Sequence, residues 1–136
     1  MAFLRLVLVA VIATVLAGCE SAPVKALREE WNNLVQAFKG YKGEQDLASG
    51  IKQYEDANYA EAARLLQSAL DQGLGRDDQV KAHKYLAFIH CVSGRERRCR
   101  DEFRTALKID PSFELAANEA GHPIWGPAFR AVKAQR

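Results

Sequence analysis

The chain has 136 residues, enough for one domain rather than two. Nineteen Lys and Arg against seventeen Asp and Glu leave a formal charge of +2, too close to neutral to mark a nucleic-acid binder or a partner of acidic surfaces. Apolar residues make up 49% of the chain, but the first twenty positions carry a disproportionate share and inflate that figure.

That N-terminal stretch reads MAFLRLVLVAVIATVLAGC, with Arg5 followed by an apolar run from Leu6 to Ala17 in which Thr14 is the one polar residue. A dozen residues rising about 1.5 Å each cannot cross a hydrocarbon core, which needs roughly 20. A cation, a short apolar run and then small residues make a secretory signal over residues 1–18. Leu16, Ala17, Gly18 and Cys19 resemble the lipobox of bacterial lipoproteins. The resemblance implies cleavage before Cys19 and thioether lipidation of its sulfur, with small residues at 17 and 18 to admit the backbone to the peptidase. More than one acyl chain, at about 0.8 kcal/mol per buried methylene, makes such an anchor effectively permanent. Glu20 stands where an aspartate would signal inner-membrane retention, which favours the outer membrane of a Gram-negative envelope, facing the periplasm. Without Arg5 the mature chain has 18 basic and 17 acidic residues, a charge of +1. Two thiols then remain, in an oxidising compartment.

Residues 19–26 are expected to form a short tether. After it, Leu27, Trp31, Leu34, Val35 and Phe38 recur at helical spacing, and Gly40 and Gly43 are expected to end the helix. Its apolar stripe is expected to pack on the domain that follows. A helix lying on a membrane fits less well, because Glu29 and Glu30 sit among few cations.

The next segments align with each other. Laying LASGIKQYEDANYAEAARLLQSALDQGL over YLAFIHCVSGRERRCRDEFRTALKIDP pairs Gly50 with Ala87, Tyr54 with Cys91, Ala57 with Gly94 and Ala62 with Cys99, and then Leu66 with Phe103, Ala69 with Ala106 and Leu70 with Leu107. Every offset is 37 residues. The pattern, a small residue midway along one helix and another early on the next, then a large one and "AL", resembles tetratricopeptide repeats, with Pro111 closing the second copy. Antiparallel helices approach closely only where small side chains face each other. The resemblance implies an all-α fold of helical hairpins over residues 27–136, with repeats at about 46–74 and 82–111 and a C-terminal cap over 112–136. Two repeats leave an apolar face open, so both flanks are expected to cap them. The Trp31 helix serves at the front, and a last helix carrying Phe129 and Val132 serves at the back, with Pro127 as its first residue.

Cys91 and Cys99 lie at similar heights on the two helices of the second hairpin, and Cys99 occupies the small-residue position that faces its neighbour. That placement predicts a disulfide with Cα atoms near 5.5 Å apart. His83, His90, Cys91 and Cys99 lack the spacing of a known zinc module, and seven residues between cysteines are not a redox motif, so no metal or cofactor is expected. The run RERRCRDEFR holds five arginines among three acids and reads as a solvated helix face or a binding patch. The first helix of each repeat is expected to line an inner groove through Leu47, Ile51, Tyr54, Lys84 and Phe88, with Trp125 beside it. That groove either takes a partner helix or peptide or is filled by a capping helix. No nucleophile–base pair, paired carboxylates or phosphate loop is visible, so no catalysis, small-molecule substrate or nucleic acid is expected.

Taken together, the lipobox, the tether, the two repeats and the tail KIDPSFELAANEAGHPIWGPAFRAVK resemble the TssQ-type tetratricopeptide lipoproteins associated with type VI secretion in proteobacteria. The resemblance implies a membrane anchor at Cys19 and a protein partner in the secretion envelope complex. Other envelope scaffolds of the same build, pilotin-like proteins or outer-membrane assembly subunits, and activators of cell-wall hydrolases remain as alternatives.

Overall fold

A computed structural model describes residues 22–135, so the apolar leader and Cys19 lie outside the described residues. Six helices and no strand occur among those described: α1 Ala22–Glu55, α2 Tyr59–Gln72, α3 Arg76–Val92, α4 Glu96–Ile109, α5 Ala117–Ala120 and α6 Trp125–Lys133. Two compact units divide at Ala37/Phe38. Of the first unit, 24–37 is helical and exposed except for half-buried Val35, and the second unit, from Phe38 onward, holds the core.

α1 departs from expectation at both ends. It begins at Ala22, inside the expected tether, where Pro23 is tolerated because a first-turn N–H has no helical acceptor. It also runs through Gly40 and Gly43 rather than stopping there. A helical glycine costs only about 1 kcal/mol relative to alanine, and at Gly43, though not at Gly40, close packing offsets that. A Cβ on Gly43 would lie 2.9 Å from the Gly73 carbonyl oxygen, and one on Gly50 would lie 2.9 Å from Leu66 Cγ. These glycines mark where α1 meets α2. Leu27, Trp31, Leu34 and Phe38, expected to pack on the domain, are exposed instead.

The 37-residue offset recurs in the backbone. At the α1–α2 turn, Asp56 N–H donates to Lys52 O, Ala57 N–H to Tyr54 O and Asn58 N–H to Gln53 O. At the α3–α4 turn, Ser93 donates to Ile89, Gly94 to Cys91 and Arg95 to His90, each the same offset further on. Ala57 and Gly94 both adopt left-handed backbone, with φ of 59° and 70°. Burial repeats as well, since Ala62, Leu66 and Ala69 on α2 and Cys99, Phe103 and Ala106 on α4 are all fully enclosed. The aligned turns therefore share their geometry, and the pairs Ala62–Cys99, Leu66–Phe103 and Ala69–Ala106 share their burial, while Tyr54 and Leu70 stay half-buried where Cys91 and Leu107 are buried.

α3 is the central helix. Ala82, Leu86 and Ile89 join Leu47, Ala62, Leu66, Ala69 and Leu74 in one core cluster. Ala87, Phe88 and Cys91 join Cys99, Phe103, Leu107, Leu115, Trp125, Phe129 and Val132 in the other. Tyr54 and Tyr85 pack against both. α6 closes the second cluster through Phe129 and Val132, as expected of a cap. Its first residue is Trp125 rather than Pro127, which sits later in the first turn, where its missing N–H still breaks no helical bond. The start moves because His122 O accepts from Gly126 N–H (3.0 Å) and draws the chain into the helix early.

Candidate partner-binding site

The expected groove is filled from within the chain. Leu47, Phe88 and Trp125 are core residues, 4%, 2% and 9% exposed. The Phe88 and Trp125 rings stack at 4.4 Å, and the His122 ring covers the indole at 3.3 Å. Trp125 Nε1–H donates to Glu119 O at 3.0 Å, so the buried indole has its polar partner. A Cβ on Gly126 would lie 2.5 Å from Ala120 O, and only glycine there lets α6 come so close to α5. The tail folds into the slot, and of the two readings the sequence allowed, the filled groove is the one found.

Lys84 is held by the same insert. Its Nζ donates to Glu119 Oε1 at 2.6 Å, with both side chains under a fifth exposed, and lies 4.8 Å from the centre of the Tyr85 ring. The other Glu119 oxygen accepts the Ala116 N–H at 3.1 Å, so one carboxylate fixes both the start of α5 and the α3 lysine. An ion pair this sheltered positions rather than stabilises, since desolvation offsets much of its attraction. Tyr54 sits beside it, half buried, with its phenol pushed up to about 12, by burial first and then by Tyr59, Tyr85 and Glu119. Burial raises Tyr85 too. The spacing of the sequence contained no sign of Glu119, because its partner lies 35 positions away.

On the far side of α3 the cysteines are joined. Cys91 and Cys99 form a disulfide with Cα atoms 5.1 Å apart, which ties the end of α3 to the first turn of α4. His83 Nδ1 and Glu102 Oε2, 2.6 Å apart, bridge the same two helices further from the turn. His90, also on α3, has its Nδ1 buried and without a hydrogen-bond partner. Burial, and then the Arg95 charge, hold its imidazole below the ordinary value. Among the described residues no three His, Cys, Asp or Glu side chains gather as a metal ion requires.

What stays accessible is the rim. Ile51, Tyr54 and Tyr85 are half buried, and Tyr59 and Ile124 are exposed. A shallow cleft of about 300 Å³ lies over the disulfide, lined by Gly94, Glu96, Arg100, Ile124 and Pro127. Of the arginine run, Arg100 pairs with Glu96 at 3.4 Å and Arg104 with Asp101 at 2.6 Å, both solvent-facing pairs on their own helix. Such pairs contribute only about 0.3–0.5 kcal/mol each. Nor is any helix among the described residues long and apolar enough to cross a membrane. Comparison of the chain with protein-family models, curated proteins and solved structures finds no match.

Proposed function

We propose that this chain is a lipid-anchored scaffold of the tetratricopeptide kind, tethered through Cys19 to the periplasmic face of an outer membrane and serving a type VI secretion envelope complex as an accessory subunit. The observation that carries the reading is the 37-residue register, legible in the sequence and repeated in the turn hydrogen bonds and buried small residues of two successive hairpins. A disulfide between neighbouring helices suits an oxidising compartment, which supports the export implied by the LAGC motif. With the inner slot occupied by Phe88 and Trp125, the partner meets the outer rim, and the role is one of holding rather than catalysis. The test is deletion of the gene in its native host. Export of the secretion system's tube protein is expected to fall and to return with the intact gene but not with Cys19→Ala. Unchanged export in the deletion strain overturns the reading.

A further inference from the structure

The largest feature the scaffold reading leaves unused is the outer face of α1. Val24, Leu27, Trp31, Leu34, Phe38 and Tyr41 are all exposed, by 42% to 68%. Their spacing alternates three and four without a slip, the a/d pattern of a coiled-coil seam carried through almost three heptads. At their observed exposures these side chains present roughly 700 Å², close to the ~800 Å² per partner of a standard-size interface. Monomers rarely leave a contiguous apolar patch that large in water.

The domain's own packing uses a different side of the helix. Gly43, Leu47, Gly50 and Tyr54 turn toward α2 and α3. At about 100° per residue, Phe38 and Tyr41 lie roughly 180° around the helix from that set.

The composition discriminates between occupants. A bilayer favours a broad apolar face flanked by an excess of cations. Here the stripe is narrow, Glu30 borders it, and Glu29 and Glu44 offset nearby lysines. A narrow 3–4 seam is the shape that another helix of the same pattern fills, a-layer on a-layer and d-layer on d-layer. No a or d position carries a charge, and in the parallel alignment the flanking positions set Glu30 opposite Val35 and Ala37 opposite Lys42, so like charges never face each other across the seam. We infer that the exposed α1 stripe is a self-association surface, and that two copies of this chain pair through it as a coiled coil.

Cysteine cross-linking of the full chain in cells tests this. Leu34 lies near the midpoint of the stripe, so in Leu34→Cys a short bismaleimide links two copies in either helix orientation. Asn33→Cys, on the opposite side of α1, is the control, and the unsubstituted chain reports any product through Cys19. The expected result is a product of twice the chain mass from Leu34→Cys alone. In sedimentation of the detergent-extracted full chain, Trp31→Lys combined with Leu34→Lys is expected to weaken self-association at least about a hundredfold while the melting of the Phe38–Arg136 core is unchanged. No product, equal products from both cysteines, or a product whose mass fits another protein overturns the inference. So does a Trp31 emission shift that needs phospholipid vesicles and persists in a monomer.

Discussion

The equivalence of Ala57 and Gly94 is a single-residue matter with an energetic consequence. Both sit at left-handed φ, a conformation that costs an L-residue about 1–2 kcal/mol and glycine almost nothing. A Cβ on Gly94 meets no atom within 4 Å, so the backbone alone sets the outcome there. Ala57→Gly is expected to stabilise the fold by about 0.5–1 kcal/mol and Gly94→Ala to cost about 1 kcal/mol, both read from urea midpoints. His90 gives a second residue-scale expectation. Its folded pKa lies below the unfolded 6.5, so the unfolded chain takes up the proton first. Stability is then greatest above pH 6.5 and is lost as pH falls from there toward the folded value. His90→Leu also removes a buried nitrogen without a partner, so its urea midpoint is expected to match or exceed that of the parent at pH 7.5 and to fall less between pH 7 and 5. A parent-like acid slope in that variant places the titration elsewhere.

At the scale of elements, the disulfide closes a short loop, eight residues apart across the α3–α4 turn. In the chain-entropy model so short a loop contributes about 2.5 kcal/mol. Cys91→Ser with Cys99→Ser is expected to lower stability by that order, and unreduced peptide mapping is expected to recover the two cysteines linked. Two freely alkylated thiols contradict the clasp. Small residues made this pairing readable beforehand, since Cys99 occupies the slot that Ala62 fills in the first hairpin and both are fully buried. The end of α1 was less readable. Gly40 and Gly43 look like stops in sequence, but Gly43 serves the approach to α2, and only the tertiary contact distinguishes a packing glycine from a terminating one. Which of the two groove readings holds was hidden for a related reason. The repeat register led to the expectation of Phe88 and Lys84 on an inner face, while what packs on them, Trp125 and Glu119, comes from a Pro- and Gly-rich tail with no regular period.

For the whole molecule, the sequence repeat and the packed core coincide, because the 37-residue register is a pattern of small and large side chains, and those govern how closely helices pack. The α1 stripe was visible as helical spacing but its exposure was not, since periodicity shows that a face is apolar and says nothing of what covers it. Within the second unit a disulfide clasps α3 to α4 and the tail fills the core, and the proposed seam lies on α1. Proposed upstream of that seam is a lipid anchor, and the scaffold reading depends on it. Its most direct test is the intact mass and N-terminal peptide of the chain extracted from native membranes. The reading requires a first residue of Cys19 carrying a diacylglycerol thioether, with that mass lost in Cys19→Ala. A chain that begins upstream with an unmodified Cys19 thiol contradicts it.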